Sequence, residues 1–502
     1  MTSIFLQVMR PFMRVTPEVL KPTREVRFNE KVIWTLGALI IYFVMTIVPI
    51  YVLGGTNQEG GDPFEFLRTI MASSRGSLAE LGIGPIVTAG LIMQILVGSK
   101  IISVDMGDPE ERSLYTGAQK VLSVIMTIFE ALAYIVGGAY GRTLSFEASS
   151  LIMVQLLAAG IAIILLDELV QKGWGLGSGI SLFIAGGVAA QMFWQAFTYV
   201  PFLDDLEGKD VGLAQGAIYA FLTMTFSPGG FTAAIETMFF REAHPTFGIL
   251  AILFTIVVFL VVIYFESMKI DIPVAYADHR GFRGKYPIKL LYVSNIPVIL
   301  VSAVFADIYF IAQLLFNSLG HNPLVDILGT FDGEGQPNGG LIRFLTPPRG
   351  IFGVNALIPT NDKGVFQLEG FGGFYETLPR ALVYAGLMIA LSVFFSKMWI
   401  TTAGMAPKDI AKQLLKAGMQ IPGWRRSEKT IEKRLEMYIP QAAALGGCFI
   451  GVLAAFADFT GALGTGTGIL LSVSIMRQYF DILVKERAAE MHPALRDFLG
   501  VL

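Results

Sequence analysis

Charge is scarce in this 502-residue chain: Asp, Glu, Lys and Arg make up 15% of it, against roughly a quarter in soluble globular domains. The net charge of −3 gives the chain as a whole no nucleic-acid footprint, so any basic partner surface has to be local. Cysteine occurs once, at Cys448 inside an apolar run. No intramolecular disulfide is available, and the redox compartment cannot be read from it. The four histidines, His244, His279, His321 and His492, lie scattered over loops and tail with no H-E-x-x-H spacing. Metal and nucleophilic catalysis therefore lack a ligand or triad set. Gly175-Leu176-Gly177-Ser178-Gly179 and Gly464-Thr465-Gly466-Thr467-Gly468 run into Ile180 and Ile469, which excludes the dinucleotide fingerprint, and no P-loop occurs. The sequence calls for no metal and no cofactor.

Apolar sequence is abundant instead, at 54% of residues. About ten stretches are long enough to cross a bilayer, which takes roughly 20 mostly apolar residues each. The clearest are Val32–Leu53, Gln119–Tyr140, Leu151–Leu169, Phe247–Phe265, Leu290–Phe316, Ala381–Ile400 and Ala442–Leu463. The fold class expected is an all-α polytopic membrane protein. A cleavable signal peptide is not expected, because Leu6–Met9 is too short and Val32–Leu53 is of full spanning length.

Loop charges orient the spans. Arg10, Arg14, Lys21, Arg24, Arg27 and Lys31 hold the segment 1–31 in the cytoplasm by the positive-inside rule. Phe5, Leu6, Val8, Met9 and Phe12 around Arg10 and Arg14 predict a short helix on the membrane surface. Residues 32–197 hold spans 1–5, and 198–245 form an outer loop. Residues 246–484 hold spans 6–10, with basic cytoplasmic loops at 267–288 and 401–437 and an outer loop at 317–375. The tail, 485–502, returns to the cytoplasm with Lys485, Arg487 and Arg496. Helical patterns are expected at 407–418 and at 427–437, the second capped by Ser427. Five spans in each half give the halves opposite topology, the condition for an inverted repeat. That inference rests on topology alone.

The second span is interrupted. Phe64–Met71 reads as a helix of two turns at most, with Phe66, Leu67, Ile70 and Met71 on one stripe, followed by a break at Ser73–Gly76. Ser77–Val97, opening Leu81-Gly82-Ile83-Gly84-Pro85, then reads as a spanning helix. Irregular backbone at membrane depth is tolerated only where it is buried in protein or lines a wet cavity. Inside the spans the ionisable residues singled out are Glu130, Asp307 and Asp458. Such residues flag function by default, although an interhelical hydrogen bond explains them as well.

Five stretches carry a family resemblance: Leu81–Gln94 (LGIGPIVTAGLIMQ), Leu166–Val188 (LDELVQKGWGLGSGISLFIAGGV), Gly284–Leu300, Arg426–Pro440 (RSEKTIEKRLEMYIP) and Gly461–Ile475 (GALGTGTGILLSVSI). Together they resemble the SecY family, the pore-forming subunit of the protein-conducting channel, and its archaeal branch in particular. The resemblance implies a passive, non-enzymatic channel in the plasma membrane, with both termini cytoplasmic. It would conduct nascent or unfolded polypeptides and release membrane segments laterally into lipid. A SecE-type and a small beta-type subunit would complete a heterotrimer, and signal peptides and the ribosome with its RNA would be partners.

Carried onto matching positions, the resemblance implies a pore ring of Ile83, Val87, Ile180, Ile184, Ile299 and Leu471. It implies a plug of Phe64, Phe66, Leu67, Ile70 and Met71 within 64–72, and a lateral gate holding Thr88, Glu130 and Asp307. Asn is usual in the family where Asp307 stands. Ribosome contacts would be Arg280, Arg283, Lys285, Arg425, Arg426 and Lys429, although Asp278 and His279 stand where a basic residue is common. The pairs 83/87 and 180/184 share a helix face by spacing, and branched apolar side chains suit a dewetted constriction. The competing reading is an inverted-repeat transporter for a small solute, which would need polar groups at the midplane. An intramembrane enzyme has no supporting motif.

Overall fold

The computed structural model describes residues 4–51, 68, 71–99, 101–102, 104, 108–136, 140, 145–203, 210–214, 216–226, 230–231, 249–276, 283–289, 296–320, 322–331, 337–348, 371–416, 419–420 and 427–491. The chain opens with the amphipathic helix α1 (Ile4–Met13), which buries Leu6 against Met93, Val97 and Ala118 and leaves Val8 and Phe12 exposed. A short helix thus stands where one is expected. The first span, α2 (Phe28–Ile47), stops short of Leu53 because Pro49 forces the preceding Val48 into an extended conformation. Pro49 then bridges to Ser77. On α2 the inward stripe is Thr35, Ala38, Tyr42 and Met45, while Ile33, Ile40 and Ile47 point outward. A face of bare aliphatic side chains suits lipid.

The second span also begins late. Residues 77–83 are turns, and α3 runs from Gly84 to Gly98 with Pro85 in its first turn, where a missing N–H costs nothing. The third span is longer than its apolar core. Helix α4 (Pro109–Val136) starts ten residues before Gln119 and extends to pack on α1. Helix α5 (Phe146–Leu169), capped by Ser145, passes into a π turn (Val170–Trp174) before α6 (Gly179–Phe197). The segment that follows carries a small hairpin, β1 (Pro201–Leu203) with β2 (Asp210–Ala214), and the helix α7 (Ala217–Thr225).

The second half begins with α8 (Ile249–Ser267), then the strands β3 (Lys269–Tyr276) and β4 (Arg283–Lys289), then α9 (Ile296–Leu319). Short elements follow: α10 (Pro323–Leu328), β5 (Thr330–Phe331), β6 (Pro337–Gly339) and α11 (Ile342–Leu345). The long α12 (Phe371–Thr402) leads to α13 (Pro407–Lys416), β7 (Met419–Gln420), α14 (Glu428–Leu435), α15 (Ile439–Phe459) and α16 (Gly466–Met491). Ser427 sits at the N-cap of α14 as expected, but its side chain makes no capping bond.

Eight helices are long and apolar enough to cross a membrane, and two shorter apolar helices, Gly84–Gly98 and Ala251–Ser267, bring the total among the described residues to ten. Helices α12 and α15 pack closely, since a Cβ at Gly451 would lie 2.8 Å from the Cα of Ile389. Small residues at such crossings let helix backbones approach in lipid. The chain is not purely helical: β3 pairs antiparallel with both β4 and β7, so the loops 267–288 and 401–437 share one three-stranded sheet.

Candidate functional site

The spans converge on one apolar cluster. It contains Ile83, Val87, Ile184, Ile299 and Leu471, each at most 8% exposed, and Ile180 packs against it. The six residues expected at the constriction, from four helices, thus belong to the large apolar core or pack on its margin. Ile83, Val87, Ile180, Ile184 and Leu471 stand at the N-cap or within the first two turns of their helices. Ile83 is the N-cap residue of α3, with φ −91° and ψ 0°. Its N–H donates to the Met71 carbonyl at 2.9 Å, which ties α3 to the segment before it. Gly82 has φ +54°, and a Cβ there would lie 2.3 Å from the Met71 oxygen. Only glycine fits that bend.

Of the expected plug residues, Met71 is buried in the same cluster; Phe64, Phe66, Leu67 and Ile70 lie outside the described residues. The segment after Met71 is heavily braced. Tyr42 donates its hydroxyl to the Ala72 carbonyl and stacks on Phe183 at 4.6 Å. Arg68 and Glu80 form a buried ion pair at 2.7 Å, and Glu80 also accepts from the Gly76 N–H. Burial and the neighbouring Glu80 carboxylate push the Tyr140 hydroxyl above the usual phenol range. Sequence reasoning missed this ion pair, because nothing in the spacing of 68 and 80 marks a break that folds back on itself. Tyr42, Arg68, Ala72, Arg75 and Gln191 line an adjoining cavity of about 280 Å³.

The three polar residues expected beside the constriction also meet. Thr88 Oγ1 donates toward Asp307, at 3.2 Å from Oδ1 and 3.3 Å from Oδ2. Glu130 and Asp307 line one small cavity of about 50 Å³ together with Arg68, Glu80 and Gly84. Tyr134 and Phe310 close its side, stacked at 4.9 Å. Glu130 Oε1 is buried with no hydrogen-bond partner among the described residues.

The basic candidates are only partly described. Arg280, Arg425 and Arg426 lie outside the described residues. Arg283 and Lys285 belong to β4, opposite Ala275 and Pro273 of β3. Lys429 is exposed on α14. The sheet joining the two loops was legible in part: Ile270, Ile272 and Val274 alternate with Lys269, Asp271 and Pro273, the period of a half-buried strand.

Fold and site together define a polytopic helical membrane protein with a large buried aliphatic core. The SecY family model matches residues 77–480, and the model of the plug domain of Sec61p matches residues 40–76. The solved structure of a protein conducting channel is 38% identical to this chain, covering 97% of it and 98% of its own length, with a TM-score of 0.78. A SecY structure, in which the plug domain is described as stabilising the closed state, shares 38% identity over 97% of this chain and 98% of its own, with a TM-score of 0.76. Sec61 in the canine ribosome-channel complex from the endoplasmic reticulum shares 38% identity, covers 97% and 98%, and gives a TM-score of 0.75. The chain belongs to the SecY family of protein-conducting channels.

Proposed function

We propose that this chain is the pore-forming subunit of a passive, gated channel in the plasma membrane, with both termini cytoplasmic. It passes unfolded polypeptides through a ring of Ile83, Val87, Ile180, Ile184, Ile299 and Leu471. The observation that carries the reading is that five of these aliphatic side chains are buried in one apolar core, with Ile180 packed against it. Branched apolar side chains exclude ions when closed and offer no fixed binding to a sliding chain. A solute transporter would place coordinating polar groups there instead. The plug, 64–72, rests on the ring at its outer side, and Thr88, Glu130 and Asp307 belong to a lateral gate that opens to lipid. A single-span SecE-type subunit and a small beta-type subunit complete the assembly. The chain carries out no catalysis of its own.

The sheet joining β3, β4 and β7 holds the two basic loops side by side, which supports a shared docking surface for ribosomal RNA at Arg280, Arg283, Lys285, Arg425, Arg426 and Lys429. Proteoliposomes carrying the complex should import a secretory precursor from translating ribosomes and should show no solute uptake above empty vesicles. Solute uptake without precursor import would favour the transporter. In the same preparation, Arg425→Glu combined with Arg426→Glu should weaken ribosome cosedimentation and flatten its salt dependence, because fewer counterions are released per phosphate neutralised. Lys408, Lys412 and Lys416 remain to hold the orientation. Equal affinity and equal salt slope for the double variant would remove these two arginines from the contact.

A further inference from the structure

The turns leading into α6 and α16 repeat each other. Gly177 and Gly464 have φ of +73° and +71°. Two residues on, Gly179 and Gly466 open the helices. A Cβ on Gly179 would lie 2.6 Å from the Asp167 Cα, and one on Gly466 would lie 1.9 Å from the Ala457 carbonyl carbon. One residue further, the Ile180 N–H donates to Asp167 Oδ1 at 2.9 Å, and the Thr467 N–H donates to Asp458 Oδ1 at 2.7 Å. The same register then pairs Ile184 with Leu471, two members of the constriction. The carboxylate precedes the N–H it accepts by 13 residues in the first half and by 9 in the second. The π turn Val170–Trp174 takes up the difference. Each half of the chain thus ends in the same device: a glycine turn laid on the preceding helix and a buried carboxylate on the first free N–H.

We propose that Asp167 and Asp458 are equivalent positioning residues that fix the depth and rotation of the two pore-lining helices. This rests on the ring reading given above. The first N–H groups of a helix have no partner inside it, and at membrane depth no water replaces one. Without its carboxylate, each helix start gains by unwinding or slipping until another acceptor is found. A slip of one residue turns a side chain by about 100° and moves it ~1.5 Å along the axis. That is enough to carry Ile184 or Leu471 off the seal. The second oxygen of each carboxylate is itself held, by Gln171 Nε2 at 2.7 Å on Asp167 and by the Tyr384 hydroxyl at 2.8 Å on Asp458. The helices also brace each other's turns. Tyr479 of α16 donates to the Ser178 carbonyl at 2.7 Å, and Gln195 of α6 accepts from the Gly464 N–H at 2.6 Å.

The test is resting ion conductance of the purified channel complex in planar bilayers, normalised to folded protein. Asp167→Ala and Asp458→Ala should each raise it several-fold. Asp167→Asn and Asp458→Asn, which keep an oxygen at the same place, should stay near wild type. Should an alanine variant fail to fold, Asp458→Glu takes its place: the carboxylate is kept but carried one methylene too far, and conductance should rise. A residue with only a structural role would lower the yield of folded channel and leave conductance per channel unchanged. If Ile184→Ser and Leu471→Ser leak while the alanine and glutamate variants do not, positioning by the carboxylates is overturned and the ring stands. If the serine variants are silent too, the ring reading fails and takes this proposal with it.

Discussion

Replacing Ile83, Ile180 and Ile299 together by serine is expected to raise the resting ion conductance of the channel by roughly one to two orders of magnitude. Burying an isoleucine is worth about 1.5–3 kcal/mol relative to leaving it in water, and three serines remove most of that resistance to wetting. Only part of the change falls on the barrier to ions, but each ~1.4 kcal/mol that does is worth a factor of ten. Ile83 is fully buried and Ile299 is 8% exposed in the same cluster, so the substitutions fall where the seal is proposed. Single-channel recording checks it. Packing without a sealing role predicts a less stable protein with an unchanged leak.

The second large effect is expected at Asp307. Its carboxylate accepts from the buried Thr88 hydroxyl, which adds a polar contact to the apolar packing of α3 on α9. Asp307→Asn keeps an acceptor oxygen and should be mild. Asp307→Leu gives the closed gate an apolar contact, and opening must then expose the leucine to pore water. At about 1.5–3 kcal/mol for that exposure, translocation directed by weakly hydrophobic signals should fall roughly tenfold or more, while strongly hydrophobic signals are spared. The assay is a series of precursors graded in signal hydrophobicity. Identical behaviour of the Leu and Asn variants across the series would make Asp307 a packing residue.

These expectations came largely from the sequence, and what the sequence did not disclose has physical reasons. The spans were legible because lipid demands long apolar runs whatever the tertiary structure. Their ends were less so. Pro49 shortens α2, and the bend at Gly82 with Pro85 delays α3 to Gly84, although the hydropathy there continues unbroken. Helix α4 overruns its apolar core because α1 packs on its N-terminal end. The six constriction residues came from the family resemblance, with spacing supporting only the pairs 83/87 and 180/184. The structure buries five of them in one large apolar core and packs Ile180 against it.

Ion pairs between distant positions left no local trace. Lys120 and Glu168 meet at 2.7 Å and Lys31 and Glu486 at 2.8 Å, yet each of these residues reads alone as an ordinary boundary charge. The internal repeat was hidden for another reason. Its signal is backbone conformation at Gly177 and Gly464 and the reach of Asp167 and Asp458, across loops of unequal length. Side-by-side reading of the two halves does not align them.

The central claim, that a polypeptide passes through the cluster where the half-helices begin, is tested most directly by site-specific photocrosslinking. A photoreactive amino acid is placed singly at Ile83, Ile184 or Leu471, and for comparison at Leu253 or Ile256, which are 53% and 55% exposed on the outer face of α8. A secretory precursor is then stalled midway through the reconstituted complex. The account predicts crosslinks to the stalled chain from the three cluster positions and none from the two outward ones; crosslinks absent from the cluster, or no stronger there than from Leu253 and Ile256, would contradict it.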